Sequence, residues 1–213
     1  MSFKDGDRLD PKNWWRISLL NVDYKIASRA IASRLLKVLH AVVDQTCGVP
    51  GRFIGENVAY LRDVVDYASQ AGVPCAIFSL SQERAFDRVH WGFMRDTLST
   101  MGCDPSFISC IDLFYRRSQS AVNVNGHISS YFSLSRGVRQ GCLLSPILYV
   151  MVAEVLACNI CCHPDISRLP FLVLQCLCLL FRSMLMIPRW WLGLMLPLLR
   201  PLTYMVFMSG VLG

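Results

Sequence analysis

All 15 acidic residues of the chain lie at or before Asp165, and from Leu169 to Gly213 there is none. In that last stretch the only charges are Arg182, Arg189 and Arg200, set among Leu, Met, Trp and Pro. A segment without carboxylates has nothing to pair its cations with and few side chains to keep a surface in water. The break therefore divides the chain into residues 1–168, which follow regular patterns, and an apolar tail over 169–213. A membrane-crossing helix needs about 20 nearly uninterrupted apolar residues. The tail is cut by Arg182, Pro188, Pro197, Arg200 and Pro201, so its runs read as core segments or as no designed structure, not as an anchor.

The first 168 residues alternate helical and extended signals. Ile31, Leu35, Val38 and Val42 recur at helical spacing, which predicts a helix buried on that stripe. Val58, Leu61, Val65 and Ala68 predict a second helix over Glu56–Ala71. Cys75–Leu80, following Gly72 and Pro74, reads as a buried strand. Helical patterns return around Phe93–Met101 and Phe107–Tyr115. Ala121–Val124 and Ile128–Phe132 flank Asn125-Gly126, a pair that tolerates positive φ at both positions and predicts a hairpin with a type I′ turn. Ser145-Pro146 reads as an N-cap followed by proline at the first helical position. Helices mixed with a few antiparallel strands give an α+β fold. At 213 residues, with 54% hydrophobic and 17% charged residues, the chain can bury a real core.

The net charge is +6, which suits a polyanionic partner but is common among ordinary proteins. The opening Met1–Asp7 is polar and acidic and reads as no secretory signal. The ten cysteines are accordingly expected as free thiols in a nuclear or cytoplasmic, reducing setting. Cys158, Cys161, Cys162 and His163, with Cys176 and Cys178 beyond, form the one cluster with a metal-like look. The second Cys-x-x-Cys that a zinc site would use is missing, and no metal is assigned.

Four segments, in order, resemble the reverse transcriptases of LINE-type (non-LTR) retrotransposons. They are Asn13–Ile26, reading NWWRISLLNVDYKI; Asp44-Gln45-Thr46 with Val49-Pro50-Gly51-Arg52; Phe78–Val89, reading FSLSQERAFDRV; and Ser135–Pro146, reading SRGVRQGCLLSP. The resemblance covers about residues 10 to 163. It implies a right-hand polymerase fold with fingers and a partial palm, the thumb missing. It also implies an RNA template and an RNA–DNA hybrid as partners, with Mg2+ in active members of the family. The sequence departs from the family at Trp15-Arg16 (Arg-Pro in the family), Cys47-Gly48 (Gly-Phe) and Leu143 (proline), as a decaying copy would.

Phosphoryl transfer to an incoming nucleotide uses two magnesium ions to activate the primer 3′-hydroxyl and neutralise the leaving pyrophosphate. Magnesium takes hard, anionic oxygen ligands. By the resemblance, the first metal-binding aspartate falls on Ser81, whose hydroxyl stays neutral at neutral pH. Glu83, two residues on, and Asp87 are nearby acids but unconvincing substitutes. The family's Tyr-Ala-Asp-Asp is missing: Met184, Leu185, Met186 and Ile187 stand where the aspartate pair is expected. No catalytic residue is retained on this reading.

The genetic code gives a reason. With Ser183 as AGT and Leu185 as CTG, reading from the third base of the serine codon turns Ser183–Pro188 into Tyr-Ala-Asp-Asp-Thr. The second aspartate is forced by Met186-Ile187 whatever codons were used, and a later valine by Trp190-Trp191. The tail thus reads as out-of-frame translation after a frameshift between Ile166 and Gln175.

By the resemblance, Phe86 is the aromatic that screens the nucleotide 2′-hydroxyl, Gln140 and Gly141 face the nucleotide, and Arg136, Arg139, Lys25 and Arg29 contact nucleic acid. Read without it, these are a core aromatic, a loop, and solvated cations of a basic loop and helix, as are Arg34 and Lys37. Three functions follow: an inactive reverse transcriptase fragment, a non-catalytic nucleic-acid-binding module, or a small membrane-associated protein using Leu169–Leu212. With a palm strand stripped of its catalytic hairpin, a bare sheet edge is expected.

Overall fold

The computed structural model describes residues 2–3, 7, 9–10, 14–15, 18–46, 48–72, 76–82, 84–162, 183–187 and 203–207. Six helices and nine strands follow in the order β1 (Ser2–Phe3), β2 (Trp14–Trp15), α1 (Val22–Val42), α2 (Ile54–Gln70), β3 (Ala76–Ser81), α3 (Ala85–Arg88), α4 (Trp91–Thr100), α5 (Pro105–Tyr115), β4 (Gln119–Ser120), β5 (Asn123–Val124), β6 (His127–Ile128), β7 (Phe132–Ser133), α6 (Leu144–Cys162), β8 (Ser183–Ile187) and β9 (Thr203–Phe207) among the described residues. The mixture is α+β, as expected. The chain divides into two compact units: residues 1–35 with 86–149, and residues 36–85 with 150–213.

The helices form where the sequence places them, but two bury a different face. Along α1 the buried stripe is Ser28, Ala32, Leu35 and Leu39, continued by Val43, while Val38 is 52% exposed. Along α2 it is Asn57, Val64 and Ala68, while Val58 is 60% exposed. Apolar residues are spread around both helices, so periodicity marked a helix without fixing which stripe packs. Small Ser28 and Ala32 are buried, and so is Asn57, whose Nδ2 donates to Thr46 Oγ1. The α2 bounds are Ile54–Gln70, shifted toward the N-terminus from the expected Glu56–Ala71.

In the first unit the caps of α4 and α5 are local. The His90 ring accepts the Phe93 N–H, and the Asp104 carboxylate accepts the Ser106 N–H at 2.8 Å with Pro105 at the first helical position. These bonds from Ser106 hold the Asp104 carboxyl below its usual range. Helix α6 starts at Leu144, one residue before the expected cap, so Ser145 and Pro146 lie inside its first turn. Leu144, Ser145, Ile147, Leu148 and Tyr149 are buried in the first unit, and Val150 and Met151, where the helix enters the second, are buried as well.

The Asn125-Gly126 turn forms with φ of 51° and 85°, joining β5 and β6 in the register Asn123↔Ile128 and Val124↔His127. The strands are shorter than expected. Val122 and Ser129 extend the pairing by one step, Ser129 N–H donating to the Val122 carbonyl at 2.9 Å. Beyond them β4 pairs with β7 as Gln119↔Ser133 and Ser120↔Phe132. Ala121 therefore stands across from two residues, Ser130 and Tyr131, which is a β-bulge that bends the ribbon.

In the second unit β3 is the middle strand of an antiparallel sheet ordered β8-β3-β9. The expected bare edge of the palm strand is not found: Ala76–Leu80 pair with Ile187–Ser183, and Ile77–Ser81 pair with Phe207–Thr203. SMLMI and TYMVF are rich in strand-forming apolar and aromatic residues, and ladder bonds are made by backbone.

Residues 44–52, one of the singled-out segments, tie this second unit together. The Asp44 N–H donates to Glu154 Oε1 at 3.0 Å, and Gln45 Nε2 donates to the Val150 carbonyl at 3.0 Å. Arg52 donates to the carbonyls of Val43 at 2.7 Å, Gln45 at 2.6 Å and His40 at 3.0 Å. A guanidinium on the last carbonyls of a helix satisfies acceptors the helix itself leaves open. The turn leading to Arg52 uses Gly51 at φ 82°.

Candidate functional site

The singled-out residues fall in both units, and each group has its own geometry. In the second unit, Ser81 ends β3 and is paired with Thr203 of β9. On the other side, Met184, Leu185, Met186 and Ile187 pair with Ser79, Phe78, Ile77 and Ala76. None of the three strands, AIFSLS, SMLMI and TYMVF, contains a carboxylate. Their oxygen donors are hydroxyls and backbone carbonyls, a set that does not fit a pair of magnesium ions. Glu83 lies outside the described residues. Asp87 sits half-buried in the short helix α3.

In the first unit, the loop 136–142 is bonded to the turn that carries Phe86. Gly137 N–H donates to the Val89 carbonyl at 2.7 Å, and Val138 N–H to the Phe86 carbonyl at 2.7 Å. Gly137 has φ 95°, and a Cβ there would come within 3.2 Å of Asp87 Cα and of the Asp87 carbonyl. Only glycine permits this backbone-to-backbone approach. Trp91 Nε1 closes the arrangement by donating to the Gly137 carbonyl at 2.8 Å. The Phe86 ring, half-buried, lies 5.3 Å from that of Tyr149 on α6. Gln140 is half-buried and Gly141 exposed at φ 75°. The structure thus brings Phe86, Gln140 and Gly141 onto two bonded segments of one unit.

Arg139 is held inside that unit. Its Nη2 donates to the Phe114 carbonyl at 3.1 Å and to Ser118 Oγ at 2.8 Å. The guanidinium carbon sits 4.6 Å from the centre of the Tyr24 ring, which packs nearly perpendicular to the Phe114 ring with centroids 5.1 Å apart. Tyr24, Phe114 and Ser118 were not singled out from sequence. Their only advance sign is that a half-buried arginine needs acceptors and favours an aromatic face. Lys25, Arg29, Arg34, Lys37 and Arg136 are exposed.

Beside Arg139 lies a buried polar group. Burial pushes the Tyr115 phenol up to about 12, and burial raises Tyr24 as well. Burial also pushes the Cys142 thiol up, but the Ser145 and Ser28 hydroxyls and the backbone N–H groups of Leu144 and Ser145 draw it down by more, so its net direction is downward. Cys103, Cys110, Cys142, Cys158 and Cys162 form no disulfide. Among the described residues no three His, Cys, Asp or Glu side chains are grouped to hold a metal. His163, Cys176, Cys178 and the Cys161 side chain lie outside them.

The sequence profile of the family described as reverse transcriptase (RNA-dependent DNA polymerase) matches residues 4–172. The chain is 40% identical over 157 residues to a Xenopus laevis protein named Transposon TX1 uncharacterized 149 kDa protein, covering 73% of this chain and 12% of that one. It is 27% identical over 144 residues to the Retrovirus-related Pol polyprotein from type-2 retrotransposable element R2DM of Drosophila melanogaster, covering 68% of this chain and 14% of that one. With the Pol polyprotein from type-1 retrotransposable element R2 of Popillia japonica the identity is 26% over 167 residues, 77% of this chain and 23% of that one. The chain therefore spans less than a quarter of the length of each of these relatives.

Proposed function

Because the chain belongs to the reverse transcriptase (RNA-dependent DNA polymerase) family, in its LINE-type branch, we propose that its residues form the fingers and palm of a polymerase that no longer polymerises DNA. The observation that carries this reading is the donor set of the β8-β3-β9 sheet: Ser81 at the first metal position and no carboxylate on either flanking strand. In active members Mg2+ supplies the charge that activates the primer hydroxyl and neutralises the leaving group. Hydroxyl and thioether side chains supply no charge to hold it.

The chain keeps the parts of the family that do not need metal. Phe86, Gln140 and Gly141 face a nucleotide, and Lys25, Arg29 and Arg136 meet the phosphates of an RNA template or RNA–DNA hybrid. Arg139, engaged by Phe114, Ser118 and Tyr24, steadies the loop that carries Gln140. Residues 169–213 are out-of-frame translation; the family match ends at residue 172, inside the window set by the reading-frame argument.

Primer extension on an RNA template with Mg2+ tests the reading: the chain should incorporate no deoxynucleotide, and Ser81→Asp alone should not restore incorporation. Incorporation by the unaltered chain that disappears on chelation overturns it. Sequencing the coding DNA across Ser183–Pro188 tests the frameshift, which falls if no shifted frame encodes Tyr-Ala-Asp-Asp. Among the described residues no helix is long and apolar enough to cross a bilayer; most of Leu169–Leu212, on which a membrane-associated role would rest, lies outside them.

A further inference from the structure

We propose that the bulged ribbon of the first unit, residues 116–136, is a binding face for an unpaired nucleic-acid strand, using the exposed rings of Tyr131 and Phe132 and the cations of Arg116, Arg117 and Arg136. This deepens the proposed function and rests on its nucleic-acid reading through Arg136, but it needs neither metal, nucleotide nor a competent sheet.

The ribbon carries more exposed apolar surface than so small an element needs. Tyr131 is 74% exposed, Ile128 68%, Val124 50% and Phe132 44%. An apolar patch of this kind, bordered by charge, marks a contact surface. The bulge at Ala121 interrupts the alternation of sides between Ile128 and Phe132, and the Tyr131 and Phe132 rings stay exposed.

Charge on the same element is of one sign. No Asp or Glu occurs between Asp112 and Glu154. Gln119↔Ser133 and Ser120↔Phe132 set the register at the base of the ribbon. The Leu134 N–H donating to the Ser118 carbonyl at 2.9 Å extends it. Arg116 and Arg117 form the turn closed by the Ser118 N–H donating to the Tyr115 carbonyl at 3.1 Å, just before β4, and Arg136 lies two residues beyond Leu134, so three exposed arginines flank the base of the ribbon. None of the three has an ion-pair partner among the described residues. Arg117 is held at φ 55° as the third residue of that turn.

Aromatic rings beside guanidinium groups fit successive bases and the phosphates between them. An acidic polypeptide would answer the cations alone and leave the rings without a partner. A duplex hides the base faces that stacking uses, so the fit is to an unpaired strand.

Fluorescence anisotropy of the full chain in EDTA, with a labelled oligodeoxythymidylate about 20 nucleotides long, tests this. Single-strand binding tighter than binding to a duplex of equal length is expected. Tyr131→Ala should weaken it about tenfold, and Tyr131→Leu, which keeps apolar bulk but no ring, by a similar factor. Arg116→Gln, Arg117→Gly and Arg136→Gln together should lower the slope of log affinity against log salt by about 2, at roughly 0.7 per lost phosphate contact. Glycine suits the backbone at 117, so a loss there does not report misfolding. Duplex bound as tightly as single strand overturns the proposal. So does polyglutamate competing as well as the oligonucleotide, or unchanged affinity in the two Tyr131 variants. Because the assay contains no metal, its failure leaves the reading of the β8-β3-β9 sheet where it stood.

Discussion

Replacing Arg139 by alanine separates a structural role for that side chain from a phosphate-binding one. Its Nη2 makes two hydrogen bonds, to the Phe114 carbonyl and Ser118 Oγ. Bonds from a charged donor contribute about 1.5–3 kcal/mol each, and the position over Tyr24 about 0.5–1 kcal/mol more. The group is half-buried, so water replaces part of what is lost, and the expected cost is about 2–4 kcal/mol. With a urea dependence of about 2 kcal/mol per molar, the unfolding midpoint should fall by about 1–2 M. The acceptors are neutral, so the loss should persist in high salt, unlike that of a surface ion pair. Arg139→Lys should recover less than half, because an ammonium cannot both fork to two acceptors and lie flat on a ring. An unchanged midpoint together with weakened polynucleotide binding would refute the reasoning and return Arg139 to the phosphate contacts.

Three further outcomes are expected. Arg52→Ala should destabilise the second unit by about 2–4 kcal/mol, because the carbonyls of His40, Val43 and Gln45 lose one shared donor; urea unfolding measures it. Tyr115 titrates at about 12 in the fold against 10.0 when exposed, so folding favours its neutral form. The stability this adds, on the order of 2–3 kcal/mol, is intact below pH 10.0 and lost as pH rises through about 12. Tyr115→Phe should flatten the fall in urea midpoint across that interval. Gly126→Val places a branched side chain at φ 85°, costing about 1–2 kcal/mol, and should speed amide exchange at Ser129, whose N–H is bonded to Val122.

Local chemistry was the most legible part of the sequence. Asn125-Gly126 announced its turn, the apolar run after Pro74 its strand, and the helices their approximate spans. What escaped notice depends on partners far apart in the chain. Arg139 reads as a free cation until Tyr24, Phe114 and Ser118 are brought to it. Val38 and Val58 fit a periodic stripe yet face solvent, because the packed stripe is set by small or hydrogen-bonded residues such as Ala32 and Asn57. The cover on β3 was missed for a different reason. An apolar tail broken by prolines gives no period to read, although two of its pieces pair with β3.

On the proposed frameshift, the register of that sheet sets a further demand on repair of the reading frame. Met186 and Ile187 stand opposite Ile77 and Ala76, and Leu185 opposite Phe78, whereas Ser81 lies three to five positions farther along the strand. At about 3.3 Å per residue, carboxylates installed in those places would be about 10–16 Å from position 81. Two ions about 4 Å apart cannot be shared across that distance. Restored letters alone would leave the ligands too far apart, and the strand would also have to slide lengthwise.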